Sequence, residues 1–153
     1  MSTRDNSKGF TLIELLIVVA IIGIIAAIAI PNLVNAISRG KQKRTMSDMR
    51  TIGVAIAEYT LYNDFPPESP SGDVEPALRD LVVPTFIKKV PALDGWRHPI
   101  QYVHMAGDAE YSVVSYGKDR TLNAVQLGPT TSFASDIYFS DGVFTSIPEG
   151  TQN

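Results

Sequence analysis

Apolar residues are concentrated in one segment near the N-terminus. Sixteen consecutive residues from Leu15 to Ile30 carry no charge. Counted from Phe10, the segment is 21 residues long, and an α-helix of that length measures roughly 32 Å, about one bilayer hydrocarbon core. Its single charge is Glu14, which is costly in hydrocarbon without a partner. The pattern predicts a membrane-spanning helix that carries one carboxylate in need of a partner.

An amphipathic helix is predicted to follow the apolar segment and to end near Asn63. Apolar residues recur there every three or four positions, the spacing of a helix that packs one face on a domain core. This stripe comprises Met46, Met49, Ile52, Ile56 and Tyr59. Gly23 and Pro31 interrupt the apolar part, and Pro31 removes a backbone hydrogen bond, which predicts a kink.

The rest of the chain predicts a small domain of mixed structure. It begins with a short helix at Ala77–Val83 and a docking loop at Phe86–Pro91. Four strands are predicted in two hairpins, namely Ile100–Met105 with Tyr111–Tyr116 and Asp136–Ser140 with Val143–Ile147. Residues 106–109 form the loop of the first hairpin, and residues 117–135 show little pattern. The predicted fold is α+β, with a long N-terminal helix packed on a small antiparallel sheet.

Composition narrows the functional classes. The 153-residue chain has a formal net charge of −3, which offers no case for nucleic-acid binding. It has no cysteine, so disulfides and thiol catalysis are excluded. His98 and His104 lack the spacing of a metal site, and Ser115 does not lie in a nucleophile-elbow motif. We therefore expect a protein that is not an enzyme.

Three interpretations of the N-terminus compete. Arg4 and Lys8 before an apolar stretch suit a secretory signal peptide, although Glu14 and the lack of an A-x-A-like cleavage site oppose it. An ordinary single-span anchor explains the apolar run but not Glu14. The third interpretation follows from the segment Lys8–Leu15, KGFTLIEL, which resembles the class III signal of type IV pilins and type II secretion pseudopilins. We favour the third, because every position of that motif is filled.

The resemblance implies a processing site and an assembly residue. In the family a prepilin peptidase cuts after the glycine, here Gly9, and methylates the new N-terminal residue, here Phe10. The glutamate that corresponds to Glu14 is needed for assembly. A free amine at Phe10 is mostly cationic at neutral pH, so it can neutralise Glu14 of the same helix or of a neighbour, and the sequence leaves both arrangements open. The family also implies that the stretch Gly23–Pro31 loosens in the filament.

The resemblance extends beyond the N-terminus. Residues 62–66, 94–102 and 111–119 follow the order and pattern of the major pseudopilins of type II secretion, although Arg97 and Arg120 stand where that pattern has glycine. In the family the loop after the central strands binds calcium, a cation that takes six to eight oxygen ligands. By position, Asp119 and Asp136 correspond to the acidic ligands of that loop. Their alternative role is that of solvated aspartates.

We therefore expect a structural subunit of a helical filament, the major pseudopilin of a type II secretion-like system. Residues 1–9 are the cleaved leader, 10–31 the transmembrane and assembly helix, and 32–153 the globular domain, which includes the second half of the helix. The expected partners are further copies of the chain, the prepilin peptidase, the inner-membrane assembly platform, minor pilins or pseudopilins, and the membrane.

The expected location follows from the same signals. The precursor should span the cytoplasmic membrane with its N-terminus inside, because basic residues precede the apolar segment. The filament should then lie in the periplasm or at the cell surface. Two alternatives remain open at this point: the major subunit of a type IV pilus, used for adhesion, motility or DNA uptake, and a membrane-tethered binding domain that does not polymerise.

Overall fold

Two helices and six strands make up the part of the chain that the computed structural model describes, residues 9–104 and 110–148. The helices are α1, Leu12–Asn63, and α2, Val74–Val82. The strands are β1, Gly72–Asp73; β2, Gln101–His104; β3, Tyr111–Ser115; β4, Gly128–Thr130; β5, Ile137–Ser140; and β6, Val143–Pro148. Residues 1–8 of the predicted leader, the predicted strand end at Met105 and the predicted loop at 106–109 lie outside the described residues.

The chain divides into two compact units between Ala36 and Ile37. The first unit holds the apolar part of α1, which is continuous through Pro31. The proline has no N–H to donate to the carbonyl one turn earlier. Next to it, the side-chain nitrogen of Asn32 donates to the carbonyl of Ile28 at 3.1 Å. The predicted helix as far as Asn63 is confirmed, and loosening of Gly23–Pro31 in a filament stays a prediction.

The second unit contains one sheet with the strand order β1-β2-β3-β5-β6-β4. Both predicted hairpin pairs are present, with β2 antiparallel to β3 and β5 antiparallel to β6. The sheet differs from the prediction at both edges, because β1, which pairs with β2, and β4, which pairs with β6, were not predicted as strands. Strand β4 also runs parallel to β6 and makes the sheet mixed. Strand β4 is the sequence Gly128-Pro129-Thr130 at the sheet edge, where a residue without an N–H is tolerated.

The core lies between the sheet, α2 and the part of α1 that belongs to the second unit. Of the predicted stripe, Met49, Ile52 and Ile56 are buried, and Met46 and Tyr59 pack against the same cluster in partly buried positions. From the other elements the core receives Val74, Leu78, Val82, Ile100, Tyr102, Val113, Ile137 and Phe139. The α+β fold of a helix packed on a small sheet is confirmed.

Two glycines set how closely the elements of this unit approach α1. A Cβ atom on Gly53, inside α1, would overlap the ring of Phe139 from β5. A Cβ atom on Gly95 would overlap the backbone carbonyl of Lys41. The Gly95 N–H donates to the hydroxyl of Thr45 at 2.9 Å, and that hydroxyl donates to the Lys41 carbonyl at 3.0 Å. The sheet and the loop that contains Gly95 therefore both contact helix backbone.

We expect Gly53→Ala to lower the free energy of unfolding by about 1–3 kcal/mol, because an added methyl group must displace the buried Phe139 ring. Gly40→Ala is the matched control, since Gly40 lies in the same helix with open space around it. That control should gain up to about 1 kcal/mol from helix propensity. Chemical denaturation of the full chain in detergent, followed by circular dichroism, measures both. Equal gains from the two substitutions would contradict the packing described here.

Candidate assembly surface and cation site

Glu14 forms a reciprocal hydrogen-bonded cap with Thr11 at the start of α1. The carboxylate Oε2 accepts from the Thr11 N–H at 2.9 Å and from the Thr11 hydroxyl at 2.7 Å. In return the Glu14 N–H donates to the Thr11 hydroxyl at 3.3 Å. This is a capping box, which satisfies donors that every helix N-terminus leaves without an intrahelical partner. The T-x-x-E spacing was readable in the sequence, and the sequence interpretation did not assign Thr11 this part.

The capping box fixes where the negative charge of the apolar helix lies. Gly9 and Phe10 are exposed directly before it, with Phe10 at 72% exposure. The carboxylate therefore sits at the positive end of the helix dipole, one turn from the position at which cleavage after Gly9 would create an amine. The predicted site residues Gly9, Phe10 and Glu14 are thus adjacent in the structure, and the cut itself stays a prediction.

The apolar part of α1 presents bare hydrocarbon on every side. Every large apolar residue from Phe10 to Ile30 is at least partly exposed, and most are more than half exposed. Among the described helices, α1 is long and apolar enough to cross a membrane, a property that a signal sequence shares. Gly23 and Pro31 lie on this surface, with open space where a Cβ on Gly23 would be. A surface of this size needs lipid or other apolar helices to cover it.

A second cluster of polar groups is buried around Asp94, in the loop before β2. One oxygen of its carboxylate accepts the backbone N–H groups of Trp96 and His98, each at 2.8 Å. The other oxygen accepts the hydroxyl of Ser115 at 2.9 Å. Asp94 is 2% exposed and Ser115 fully buried, so the buried carboxylate has three hydrogen-bond donors and is not left unsatisfied. This network holds the loop against β3.

The Asp94 cluster brings together an aspartate, a histidine and a serine, and its geometry differs from that of a hydrolase triad. A triad needs the serine hydroxyl to donate to the histidine ring, which acts as base. Here the Ser115 hydroxyl donates to Asp94, and His98 Nδ1 lies 2.9 Å from the carbonyl of Gly117. The cluster therefore acts as a structural clamp. Sequence reasoning treated His98 and Ser115 separately and did not place them together.

The loop between β3 and β5 contains the two predicted calcium ligands. Asp136 is 4% exposed, and its carboxylate accepts the backbone N–H of Asn123 at 2.9 Å through Oδ2. Asp119 is exposed and accepts the N–H of Thr121 at 3.0 Å. Burial raises the pKa of the Asp136 carboxyl above its usual value, the hydrogen bonds from Asn123 lower it in part, and the nearby charge of Asp119 raises it. Both aspartates therefore accept backbone N–H groups of the same loop.

The oxygen atoms around Asp136 are of the kind that a hard cation takes as ligands. Backbone carbonyl oxygens of Thr121 and Ala134 lie within hydrogen-bond distance of the Asn123 side-chain nitrogen, together with Oδ1 of Asp136. Calcium prefers such oxygen ligands and commonly completes its shell with water. Within residues 9–104 and 110–148, no group of three or more His, Cys, Asp or Glu side chains could hold a metal ion. A cation at this place would therefore need backbone carbonyls as much as carboxylates as ligands.

Comparison with known proteins assigns the family. A model of the prokaryotic N-terminal methylation motif matches residues 4–30. The model of type II secretion system protein G matches residues 32–128, more than half of the chain. The chain belongs to the type II secretion system protein G family. The resemblance to pseudopilins that the motifs indicated is thereby confirmed.

Individual relatives agree with this family. The chain is 28% identical to the type II secretion system core protein G of Escherichia coli K12, over 78% of this chain and 87% of that protein. It is 29% identical to the core protein G of Pseudomonas aeruginosa PAO1, over 76% of this chain and 87% of that protein. The type IV major pilin of Myxococcus xanthus is 47% identical over 40% of this chain and 30% of the pilin. No solved structure matches the chain.

Two arginines keep a backbone conformation that favours glycine. Arg97 has φ 71° and Arg120 has φ 58°, and both stand where the pseudopilin pattern has glycine. The left-handed conformation costs a residue with a side chain roughly 1–2 kcal/mol. The rest of the fold therefore holds both loops in the left-handed conformation, although arginine does not favour it. The two arginines change the side chains at these positions, and the turns are present.

Proposed function

We propose that this protein is the structural subunit of a helical filament, the major pseudopilin of a type II secretion-like system. The observation that carries the proposal is the exposed apolar helix with its single carboxylate beside the predicted cleavage site. Lipid covers the helix before assembly, and helices of neighbouring subunits cover it in the filament. The globular unit, which has its own core, forms the outer surface.

In this proposal the charge of Glu14 guides assembly by pairing with an opposite charge on the neighbouring subunit. After cleavage, the cationic amine of Phe10 in one subunit pairs with the Glu14 carboxylate of its neighbour. Each group is costly alone in hydrocarbon, and their mutual attraction offsets part of both desolvation costs, so the pair is less costly than two isolated charges. The capping box with Thr11 holds the carboxylate at the helix start, where an incoming amine can reach it. Gly23 and Pro31 supply the place at which the helix loosens as subunits pack.

The proposed partners and location follow from processing and assembly. A prepilin peptidase cuts after Gly9 and methylates Phe10. The precursor spans the cytoplasmic membrane with its N-terminus inside, and the inner-membrane assembly platform and minor pseudopilins receive it. The filament lies in the periplasm or at the cell surface.

A type IV pilus subunit is the second candidate, and the 47% identity to the Myxococcus xanthus pilin over 40% of this chain favours it. It requires the same cleavage and the same helix packing. The genomic neighbourhood separates the two, since secretion genes accompany the first and pilus motor genes the second. A tethered binding domain that does not polymerise is excluded when electron microscopy of sheared cell surfaces shows filaments of this chain.

Processing is tested with Gly9→Val. The valine side chain fills the position that the peptidase motif reserves for glycine, so the leader should stay attached and filaments should be absent. Mass spectrometry of the wild-type protein should find an N-terminal methylated Phe10. Gly40→Ala, in an open part of α1, should be processed normally. Recovery of an uncut N-terminus from wild-type filaments would contradict cleavage after Gly9.

The charge of Glu14 is tested with Glu14→Gln. Glutamine keeps the length of the side chain and an oxygen that can accept from Thr11, but it carries no charge. We expect Glu14→Gln to be cut and inserted and to assemble poorly, as should Glu14→Val. Thr11→Ser is the matched control, because it alters the same cap while keeping both its hydroxyl and the charge, and its filament yield should stay near that of the wild type. Normal filament yield for Glu14→Gln would show that the charge is dispensable.

We also propose that calcium binds at Asp119 and Asp136 and holds the loop between β3 and β5. A cation present at a hundred times its Kd adds about 2.7 kcal/mol to the stability of the state that binds it. Calcium should therefore raise the melting temperature of the detergent-solubilised chain above its value in chelator. Asp119→Ala should abolish the difference, and magnesium should substitute poorly because it prefers a tighter six-oxygen shell. Identical melting curves with and without calcium would leave both aspartates as ordinary polar residues.

A further inference from the structure

The side-chain nitrogen of Asn123 lies among three oxygen atoms from separate parts of the loop. It is 2.9 Å from the carbonyl oxygen of Thr121, 3.1 Å from that of Ala134 and 3.4 Å from Oδ1 of Asp136. A side-chain amide has two hydrogens to donate, so it cannot satisfy three acceptors fully. Three oxygens that converge on one positively polarised atom form the environment that a cation prefers.

We propose that the Asn123 amide competes with calcium for these three oxygens, so that calcium binds only when this side chain is displaced. The inference rests on the proposed calcium site and adds a competitor to it. Amide and cation cannot share the three oxygens. A site whose competent state is populated only in part binds its ligand more weakly in proportion to that fraction. The wild-type protein therefore binds calcium more weakly than a variant without this amide, and the amide links the same parts of the loop that the ion would link.

The contacts of Asn123 also show what displacement changes. Its backbone N–H donates to Oδ2 of Asp136 at 2.9 Å, and movement of the side chain does not break this bond. Release of the amide frees Oδ1 of Asp136 and the carbonyls of Thr121 and Ala134 for a cation. The observed nitrogen–oxygen distances exceed the 2.3–2.6 Å of calcium–oxygen bonds, so the loop must draw inward around the ion.

Space for the displaced side chain is present beside the site. A cavity of about 380 Å³ is lined by Asn123 and Asp136 and by polar residues that include Gln126, Ser132 and Ser135. A cavity of this size holds several water molecules, which a calcium ion needs to complete its shell. The amide can therefore move aside without unfolding the loop.

The test compares the wild type with Asn123→Ala and Asn123→Asp, all as full chains in detergent. Alanine removes the competitor, and we expect its calcium Kd to fall about 2- to 10-fold, the range of one ordinary hydrogen bond. Aspartate removes the donor and adds a carboxylate, so its Kd should fall further. Isothermal titration with calcium chloride measures both. Gln126→Ala, which alters the same cavity outside the three-oxygen group, should leave the Kd unchanged.

A second readout reports the loop without calcium. Trypsin cuts after Lys118 and Arg120, which are exposed in the loop. In chelator, Asn123→Ala should be cut faster than the wild type, and calcium should restore its resistance. Unchanged or weaker calcium binding by Asn123→Ala, with normal binding by the wild type, would overturn the inference and leave the calcium site standing. Absence of calcium binding in all variants would remove the calcium site and the inference together, without bearing on filament assembly.

Discussion

One carboxylate in an apolar helix is the constraint on which the processing and assembly of this protein depend. Glu14 lies within the segment from Phe10 to Ile30, where lipid or other helices must surround it. The capping box with Thr11 donates hydrogen bonds to the carboxylate but supplies no positive charge. A charge that stays in hydrocarbon without a counterion is strongly unfavourable, whereas pairing with a cationic amine made by cleavage offsets part of that cost. Cleavage, membrane insertion and polymerisation are therefore linked through the charge of Glu14, which the proposed filament pairs with an amine.

In the second, globular unit, the sheet and its loops pack closely against the part of α1 that belongs to that unit. Gly53 admits the ring of Phe139, and Gly95 lies against the backbone at Lys41. Asp94 then ties the Gly95 loop to β3 through buried hydrogen bonds. Because each contact reaches helix backbone or a buried carboxylate, the sheet and its loops keep fixed positions on this part of the helix. A filament needs such fixed positions, since its outer surface repeats with every subunit.

The sequence predicts those parts of the fold whose signals are local. The stripe through Met49, Ile52 and Ile56 and the hairpin of β5 and β6 are indicated by spacing and by turn chemistry, and both are confirmed. Strand β4 was missed because its pairing with β6 is parallel and distant in sequence, and because Pro129 argues against a strand. The three oxygens around Asn123 belong to residues 2, 11 and 13 positions away from it, so no sequence motif indicates them. Glu14 was found because a charge in an apolar run stands out, whereas its cap partner Thr11 does not.

Helical reconstruction of purified filaments by cryo-electron microscopy tests the central claim most directly. The account predicts a chain that begins at methylated Phe10. In each subunit the Glu14 carboxylate should lie within about 4 Å of the Phe10 amine of a neighbouring subunit, the limit for an ion pair. It also predicts that helices of adjacent subunits cover the apolar surface from Phe10 to Ile30. A filament in which Glu14 contacts only Thr11 of its own chain, with every Phe10 amine paired elsewhere, would contradict the account.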